Sequence, residues 1–257
     1  MRRPFIAGNW KMHLDGASIS AFCAALRDGA SDREDVTVGV FPPFVYLAQV
    51  VDALAGTGIV VGAQTCHPEP KGAFTGEVAA VQVKDAGASH VLVGHSERRH
   101  VFGETDEDVR ARLDAALACG LDVILCVGET IEERQADRTG EVVATQLDAG
   151  TKGLDPETLA NRITIAYEPV WAIGTGLTAT PDQAQEVHTM IRSRLAGAFG
   201  SDIADRVIIQ YGGSVKPANV AELMACPDVD GALVGGASLE PGSFASLIEF
   251  ESQENPR

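Results

Sequence analysis

Residues 163–179 read ITIAYEPVWAIGTGLTA, an apolar run that passes directly into an acid, a proline and two glycines. The run at 163–166 does not alternate apolar with polar residues, which is typical of a strand covered on both faces in a parallel sheet. Glu168 follows this run, and Pro169 biases the backbone of Glu168 toward an extended conformation. The stretch therefore predicts an acid held rigidly at the end of a buried parallel strand.

The residues after Glu168 have the composition of a hinged lid. The apolar residues 170–173 could cover a ligand bound beside Glu168 and keep water away from it. Gly174 and Gly176 permit unusual backbone angles and a close approach of the main chain to a ligand. Two alternatives stay open. The glycines mark an ordinary surface turn, or they form a dinucleotide-binding fingerprint, which needs a strand directly before it and a helix opening on it.

Apolar runs of the same kind recur along the whole chain, with helix-like segments between them. The runs lie at 5–7, 36–41, 59–63, 90–93, 122–127, 163–166, 207–211 and 232–234, and the helix-like segments between them include 18–27, 44–54, 106–118, 181–195, 217–224 and 241–251. Eight strand and helix units in 257 residues predict an α/β fold of the (β/α)8 barrel type, although a doubly wound open sheet has a similar pattern. We expect a single domain over 1–257, with 252–257 as a frayed tail.

Composition and charge restrict which binding partners and which cellular compartment we expect for this protein. The net charge of −16 argues against nucleic acid or an anionic membrane as a partner, and a phosphate-bearing ligand would need a local positive site. No apolar run is long enough to span a bilayer, and the first residues lack the apolar stretch of a signal peptide, so we expect a cytoplasmic protein. The five cysteines are scattered without a Cys-x-x-Cys pair, which favours reduced thiols over disulfides or a metal site.

Polar and glycine residues follow the predicted strands, and in a barrel these positions meet at one rim. They are Asn9 and Lys11 after the first strand, His95 and Glu97 after the fourth, the segment from Cys126 to Glu129 after the fifth, Glu168 after the sixth, Gly212, Gly213 and Ser214 after the seventh, and Gly235 and Gly236 after the eighth. The glycine pairs could hold a phosphate on backbone N–H groups, or they are two tight turns. Lys11 suits a phosphate or a developing oxyanion, unless it is simply solvated.

Structural roles remain open as alternatives for the other polar residues. Asn9 could donate a hydrogen bond to a substrate or cap the turn, and His95 could be a structural histidine. A zinc site is disfavoured, because residues 95–100 do not form a His-Glu-x-x-His motif. Glu97 could orient Lys11, or it could form a salt bridge with Arg98 or Arg99.

Glu168, His95 and Lys11 around one phosphate-anchored small molecule would form a recognisable catalytic set. A carboxylate base, a neutral hydrogen-bond donor and a cation suit the removal of a proton next to a carbonyl, with the enediolate oxygen stabilised electrostatically. The sequence suggests no metal, cofactor or serine-type nucleophile for this chemistry. It therefore predicts an aldose-ketose isomerase.

Four segments resemble the triosephosphate isomerase family, and the similarity runs nearly end to end. They are GNWKM at 8–12, VGHSERR at 93–99, AYEPVWAIGTG at 166–176 and YGGSV at 211–215. The resemblance implies interconversion of dihydroxyacetone phosphate and D-glyceraldehyde 3-phosphate in glycolysis and gluconeogenesis, without a cofactor. It also implies roles for particular residues: Glu168 as the base, His95 as the neutral electrophile, Asn9 and Lys11 as substrate-binding residues, Glu97 and Cys126 as supporting residues, and Gly174, Ser214, Gly235 and Gly236 as phosphate-binding residues.

The resemblance further implies a homodimer, in which the loop 72–77 inserts into a second subunit. Phe74 is too apolar to project alone into water, and Thr75 would support Asn9, Lys11 and His95 of the other chain. The alternative is a floppy surface loop. The chain departs from the family pattern at Leu177, where the lid usually carries lysine, and at Thr65 and His13, where asparagine is commoner.

Two competing functions belong to other classes. An aldolase or a sugar-phosphate epimerase on the same fold would usually need a Schiff-base lysine or a metal cluster at the rim, whereas Lys84, Lys152 and Lys216 lie outside the strand ends. A catalytically silent barrel kept as a binding or scaffold protein is the second alternative. The joint presence of base, electrophile and lid glycines argues against it.

Overall fold

Eight parallel strands close into a barrel in the computed structural model, which describes residues 2–30, 33, 35–174 and 177–250. The strands are β1 (Phe5–Asn9), β2 (Thr37–Phe41), β3 (Val60–Ala63), β4 (His90–Val93), β5 (Asp122–Val127), β6 (Ile163–Tyr167), β7 (Ile208–Tyr211) and β8 (Gly231–Val234). Each pairs with the next, and β8 pairs with β1 from Phe5↔Gly231 to Gly8↔Val234. The predicted barrel is confirmed, and the open-sheet alternative is wrong. The predicted tail 252–257 and two residues of the predicted lid, Thr175 and Gly176, lie outside the described residues.

Helices follow the strands and cover the outside of the barrel. They are α1 (Gly16–Ala30), α2 (Leu47–Ala53), α3 (Ala80–Asp85), α4 (Ser96–His100), α5 (Asp106–Ala118), α6 (Ile131–Gln135), α7 (Thr139–Thr151), α8 (Pro156–Arg162), α9 (Pro181–Phe199), α10 (Ser201–Ala204), α11 (Val220–Met224) and α12 (Pro241–Ile248). The segment predicted at 44–54 is instead a 3₁₀ turn at Phe44–Tyr46 followed by α2. In the part of the chain that the structure describes, no helix combines the length and the apolar character needed to cross a membrane.

The start of α9 fixes the end of the predicted lid. Thr180 caps the helix: its hydroxyl accepts a hydrogen bond from the N–H of Gln183 at 3.2 Å, and the Gln183 side chain accepts one from the N–H of Thr180 at 3.0 Å. Pro181 occupies the first turn, where its missing N–H costs nothing. The chain therefore leaves the lid at a defined point.

The barrel interior is filled with side chains. Its buried apolar set is Phe5, Ala7, Phe41, Leu92, Ile124, Cys126, Ala166 and Leu233. A second and larger buried layer lies between the strands and the helices. Because both faces of every strand are covered, the runs are apolar without alternation. With its interior filled, the barrel is a packed core rather than a pore.

Buried charges tie α9 to the end of the barrel where β7 and β8 begin. Arg192 of α9 donates to Asp230 at 2.5 Å and to Asp228 at 2.6 Å, and Arg2 donates to the other oxygen of Asp230 at 2.6 Å. Asp230 also accepts the N–H of Ile209 at 3.0 Å. Asp230 and Arg192 are both buried. These hydrogen bonds offset much of the cost of removing the charges from water.

His188 is a fully buried histidine on the same helix. Its Nδ1 lies 3.3 Å from the carbonyl oxygen of Asp228, and its Nε2 has no hydrogen-bond partner among the described residues. The ring packs against Tyr167 and Tyr211, with centroids 5.8 and 6.3 Å away. Burial lowers the pKa of His188 to about 4, and the charge of Arg192 acts in the same direction.

We expect the free energy of unfolding to decrease as the pH falls from about 6.5, the pKa of an unfolded histidine, to about 4, the folded pKa of His188. In this window His188 binds a proton only after unfolding, so it contributes a slope of about 1.4 kcal/mol per pH unit. Burial also lowers the pKa of His90 to about 4, which adds to the slope. Urea unfolding at several pH values measures the effect. His188→Gln should reduce the slope of the free energy of unfolding against pH, whereas His100→Gln, at an exposed position, should leave this slope unchanged. Equal slopes for the two variants would contradict the assignment of the pH dependence to His188.

Candidate active site

A cavity of about 470 Å³ opens at the carboxyl end of the barrel. Its lining includes eight residues that the sequence predicts for the site, namely Asn9, Lys11, His95, Glu168, Gly174, Ser214, Gly235 and Gly236. The ends of β1, β4, β6, β7 and β8 bring them together, as expected for a barrel of parallel strands. Gly212 and Gly213 line the same cavity.

A larger groove, of about 1000 Å³, lies elsewhere between α7, α8 and α9. Its charged lining includes an ion pair between Arg194 and Asp148, both about half exposed. It contains none of the residues predicted for catalysis. The smaller cavity is therefore the candidate active site, because the candidate base, hydrogen-bond donor and cation converge there.

Glu168 is buried at the end of β6, and 2 % of its surface is exposed. Its N–H donates to the carbonyl oxygen of Val127 at 2.8 Å. A Cβ atom at Gly128 would lie 1.8 Å from the carbonyl oxygen of Glu168, so only glycine allows the two backbones to approach this closely. The carboxylate accepts hydrogen bonds from the N–H and the hydroxyl of Ser96, at 2.9 and 3.2 Å. Neighbouring strands thus hold the acid rigidly.

His95 is the N-cap of α4, and its hydrogen bonds indicate its tautomer. Nδ1 accepts the N–H of Glu97 at 3.2 Å, so this nitrogen carries no proton. Nε2 lies 3.0 Å from a carboxylate oxygen of Glu168, which accepts its hydrogen. The geometry therefore fits a neutral imidazole with its proton on Nε2, pointing at the candidate base.

Lys11 projects from a strained turn after β1. Its backbone has φ = 51°, and Asn9 accepts its N–H through Oδ1 at 3.0 Å. Gln64 donates from Nε2 to the carbonyl oxygen of Lys11 at 2.8 Å and to that of Phe41 at 2.9 Å. Asn9 thus caps the turn while it lines the cavity. The sequence pattern gave no signal for the contribution of Gln64.

Glu97 pairs with Lys11, at 2.7 Å between Nζ and Oε1. Burial opposes ionisation of the carboxyl, but the hydrogen bond and the charge of Lys11 keep the pKa of Glu97 below its ordinary value. Arg98 binds Glu104 and Arg99 binds Asp106 instead. Of the two alternatives for Glu97, the structure supports the one in which it orients Lys11.

Glycine turns after β7 and β8 form the wall of the cavity beside Glu168 and Lys11. The N–H of Gly212 donates to the carbonyl oxygen of Tyr167 at 2.7 Å, and a Cβ at Gly213 would lie 2.2 Å from the Tyr211 hydroxyl. Gly235 precedes a 3₁₀ turn at Gly236–Ser238. The first N–H groups of such a turn have no partner within it, which suits the binding of an anion.

Cys126 lies inside the barrel beneath Glu168 and does not reach the cavity. Complete burial raises the pKa of its thiol well above the ordinary value, and the carboxylate of Glu168 acts in the same direction. The thiol therefore stays protonated and uncharged. This placement agrees with a supporting position below the candidate base.

The N-terminal end of the lid is hydrogen-bonded to Glu129, a fully buried residue that the sequence places at the rim after the fifth strand. Glu129 accepts Trp171 Nε1 at 2.9 Å and the Tyr167 hydroxyl at 3.1 Å. The guanidinium of Arg134 lies 4.9 Å from the Trp171 ring centroid. Only Ile173 of the four apolar lid residues lines the cavity, because Trp171 is bound to Glu129 and Ala172 is buried.

Neither alternative ligand site fits the structure. Gly174 follows a 3₁₀ turn at Val170–Ala172, and α9 begins only at Pro181. A dinucleotide fingerprint needs a strand directly before the glycines and a helix directly after them, so that alternative is wrong. In the described ranges, no cluster of three or more histidine, cysteine and acidic side chains could hold a metal ion.

The loop after β3 lies apart from the cavity of its own chain. Phe74 is 44 % exposed and stacks on His67, with 4.1 Å between the ring centroids. Thr75 is exposed. The three departures from the family pattern also lie outside the set of residues lining the cavity: Leu177 and His13 are exposed, whereas Thr65 is buried.

Comparisons with known proteins find relatives that match nearly the whole chain. A sequence model of the family described as Triosephosphate isomerase matches residues 4–251. The chain is 53 % identical to the triosephosphate isomerase of Carboxydothermus hydrogenoformans over 249 residues, which cover 97 % of this chain and 99 % of that protein. It is 50 % identical to the enzyme of the same name from Symbiobacterium thermophilum over 257 residues, with complete coverage of both chains. It is 53 % identical to the Pseudomonas putida enzyme of that name over 251 residues, which cover 96 % of this chain and 98 % of that protein.

Proposed function

The chain belongs to the triosephosphate isomerase family, and from that premise we infer that its cavity interconverts dihydroxyacetone phosphate and D-glyceraldehyde 3-phosphate in glycolysis and gluconeogenesis. Members of the family are isomerases that need no cofactor. The observation that carries the inference is the pairing of the Glu168 carboxylate with the neutral imidazole of His95 at 3.0 Å, in a cavity that also contains Lys11 and an anion-binding wall. The enzyme acts in the cytoplasm.

Glu168 is the base in this proposal. Its carboxylate removes a proton from the carbon next to the carbonyl of dihydroxyacetone phosphate, which gives an enediolate, and then returns a proton to the neighbouring carbon. In the structure one oxygen of Glu168 occupies the hydrogen bond of His95 Nε2. A bound substrate would take over this hydrogen bond, and Glu168 would leave Ser96 to reach the carbon.

His95 and Lys11 stabilise the charge that develops on the substrate oxygens. The Nε2–H of His95 donates to the enediolate oxygen and moves the hydroxyl proton between the two oxygens, for which a neutral ring is suited. The ammonium of Lys11, held by Glu97 and by the strained turn, adds positive charge to the same region. Asn9 completes the polar wall beside it.

The phosphate group binds the backbone N–H groups of Gly174, Ser214, Gly235 and Gly236. Binding draws the lid, residues 170–178, over the substrate, because the phosphate supplies contacts that only the closed lid makes. Closure excludes water from the enediolate, which protects the intermediate and strengthens its hydrogen bonds.

An assay with purified protein and D-glyceraldehyde 3-phosphate, coupled to reduction of the dihydroxyacetone phosphate formed, tests the proposal. We expect isomerisation without added metal or cofactor. A protein that binds the substrate without turnover would instead favour the scaffold alternative. Formation of a product with a new carbon–carbon bond, or of an epimer, would favour an aldolase or an epimerase.

The enzyme is a homodimer in this proposal. The large exposed apolar residues in the described part of the chain are Met12, Val45, Phe74, Val81, Val101, Phe102 and Leu177. All except Leu177 follow β1, β2, β3 or β4, four neighbouring strands of the barrel, at their carboxyl ends. One side of the rim is therefore apolar, which supports a two-fold interface in which Phe74 and Thr75 reach the site of the second subunit.

Shortening the loop at residues 73–75 is expected to give monomers with an intact barrel and poor turnover, because the polar groups on Asn9, Lys11 and His95 lose the support of Thr75 from the second chain. Light scattering, circular dichroism and the isomerase assay on the same preparation measure mass, fold and activity. A fully active monomer would contradict the dependence on the dimer. An unaltered dimer would contradict the role of the loop.

A further inference from the structure

We propose that Lys216 provides the positive charge, not balanced by an ion pair, with which the cavity captures the phosphate group and distinguishes phosphorylated from unphosphorylated trioses. The proposal rests on the proposed function and adds a residue outside the predicted site. Lys216 lines the cavity beside Ser214, Gly235 and Gly236. It therefore lies on the wall to which the phosphate is assigned.

The charges around the cavity require such a group. The positive charge of Lys11 is balanced by Glu97, 2.7 Å away. The remaining carboxylate of the cavity is that of Glu168, and the hydrogen bonds of His95 fit a neutral ring. Without Lys216 the site would carry a net negative charge, in a chain whose total charge is −16. A dianionic phosphate entering such a site would be repelled.

Lys216 is available for this purpose. Its side chain is exposed, and no carboxylate lies within ion-pair distance of its ammonium in the part of the chain that the structure describes. The other cation lining the cavity, Lys11, is already engaged. The ammonium of Lys216 can therefore turn toward an incoming anion without breaking an ion pair.

The backbone that carries Lys216 is fixed relative to the anion-binding turn. The N–H of Lys216 donates to Oδ1 of Asn219 at 2.8 Å, and Nδ2 of Asn219 donates to the carbonyl oxygen of Ser214 at 3.0 Å. Val215 between them is buried. The turn thus holds the backbone of Lys216 beside Ser214, while the flexible aliphatic side chain lets the ammonium group move with the ligand.

An exposed cation of this kind acts at moderate range and is screened by salt, since the Debye length is about 10 Å at 0.1 M ionic strength and about 30 Å at 0.01 M. Its effect should therefore appear mainly in kcat/KM at low ionic strength, through faster capture and tighter binding of the dianion. The chemical step depends on Glu168 and His95, so kcat should change little. A substrate without phosphate should not respond.

Lys216→Gln is the test variant, assayed at about 0.01 M and about 0.3 M ionic strength, where screening lengths differ severalfold. At the lower ionic strength we expect kcat/KM for D-glyceraldehyde 3-phosphate to fall by about three- to tenfold, because KM rises while kcat stays nearly constant. At the higher ionic strength the loss in kcat/KM should be smaller. The dissociation constant of inorganic phosphate should rise in parallel. Slow turnover of D-glyceraldehyde should stay unchanged.

Two matched controls separate this role from general charge effects. Lys216→Arg keeps the charge and should retain nearly all of kcat/KM. Lys152→Gln removes the same charge from an exposed site after α7, away from the cavity, and should have a much smaller effect. Equal losses for Lys216→Gln and Lys152→Gln would overturn the proposal, as would a loss that is independent of salt or shared by D-glyceraldehyde. If wild-type protein shows no isomerase activity, the proposed function fails, whereas the phosphate dissociation constants still decide the role of Lys216.

Discussion

Glu168→Gln is expected to lower kcat by a factor on the order of 10²–10⁴, the usual contribution of a positioned general base. The amide has nearly the shape of the carboxylate but cannot take a proton from carbon. It can still accept hydrogen bonds from Ser96 through its oxygen, so the barrel should fold as before. KM should change far less than kcat, because Glu168 acts on the reacting carbon rather than on the phosphate.

Steady-state kinetics and a thermal melt on the same preparation measure this effect. Glu168→Asp should also be impaired, because it withdraws the carboxylate by about one methylene and misplaces it relative to the carbon. Glu107→Gln, at an exposed position of α5, removes the same charge without touching the cavity and should keep full activity. Turnover of Glu168→Gln close to that of the unmodified enzyme would rule out the assignment of the base.

Arg192→Met is expected to lower the free energy of unfolding by about 3–5 kcal/mol, because removing one partner of a buried ion pair leaves a buried charge without compensation. Here two carboxylates lose their partner, those of Asp228 and Asp230. The hydrogen bond from Arg2 to Asp230 remains and moderates the loss. The methionine fills much of the space of the arginine stem, so the change reports on the lost charge and on the lost hydrogen bonds to the carbonyl oxygens of Ala204 and Val207.

The same helix offers a control for this variant. Arg194 pairs with Asp148, but both side chains are about half exposed, so Arg194→Met should cost less than about 1 kcal/mol. Urea unfolding of the two variants and the unmodified protein gives the comparison directly. Equal urea midpoints of unfolding for Arg192→Met and Arg194→Met would show that burial does not determine how much the ion pairs of Arg192 contribute to the free energy of unfolding.

The barrel could be predicted because its strands carry a strong and simple signal. Runs such as 122–127 and 163–166 are apolar on both faces, and these two runs coincide with the observed strands β5 and β6. Several helices carry no comparable signal. The helices α4 and α6 have five residues each, too few for an apolar period to emerge, and α7 begins after Arg138 without a side-chain cap.

In the candidate site, the residues at the strand ends could be predicted, whereas the contacts between their side chains could not. Glu168, His95 and Ser214 were expected at one rim because carboxyl ends of parallel strands converge, and the structure places them in one cavity. Contacts between side chains from distant strands could not be predicted from spacing. The hydrogen bonds of Gln64 to the backbone of Lys11, of Ser96 to Glu168 and of Trp171 to Glu129 exist only after the barrel has closed. Lys216 does not follow a strand directly, so the strand pattern gives no signal that it lines the cavity.

The turn after β1 has a consequence for any attempt to make this enzyme more heat-resistant. Lys11 and Leu14 have φ values of 51° and 68°, in the left-handed region, where a residue with a side chain costs about 1–3 kcal/mol. Glycine at position 11 would release that strain, and a search for stabilising substitutions guided by backbone geometry alone would select it. The same change would delete the ammonium that faces Glu97 and the cavity. Heat resistance and turnover therefore make opposite demands on a single residue, and engineering for the first has to leave Lys11 in its unfavourable conformation.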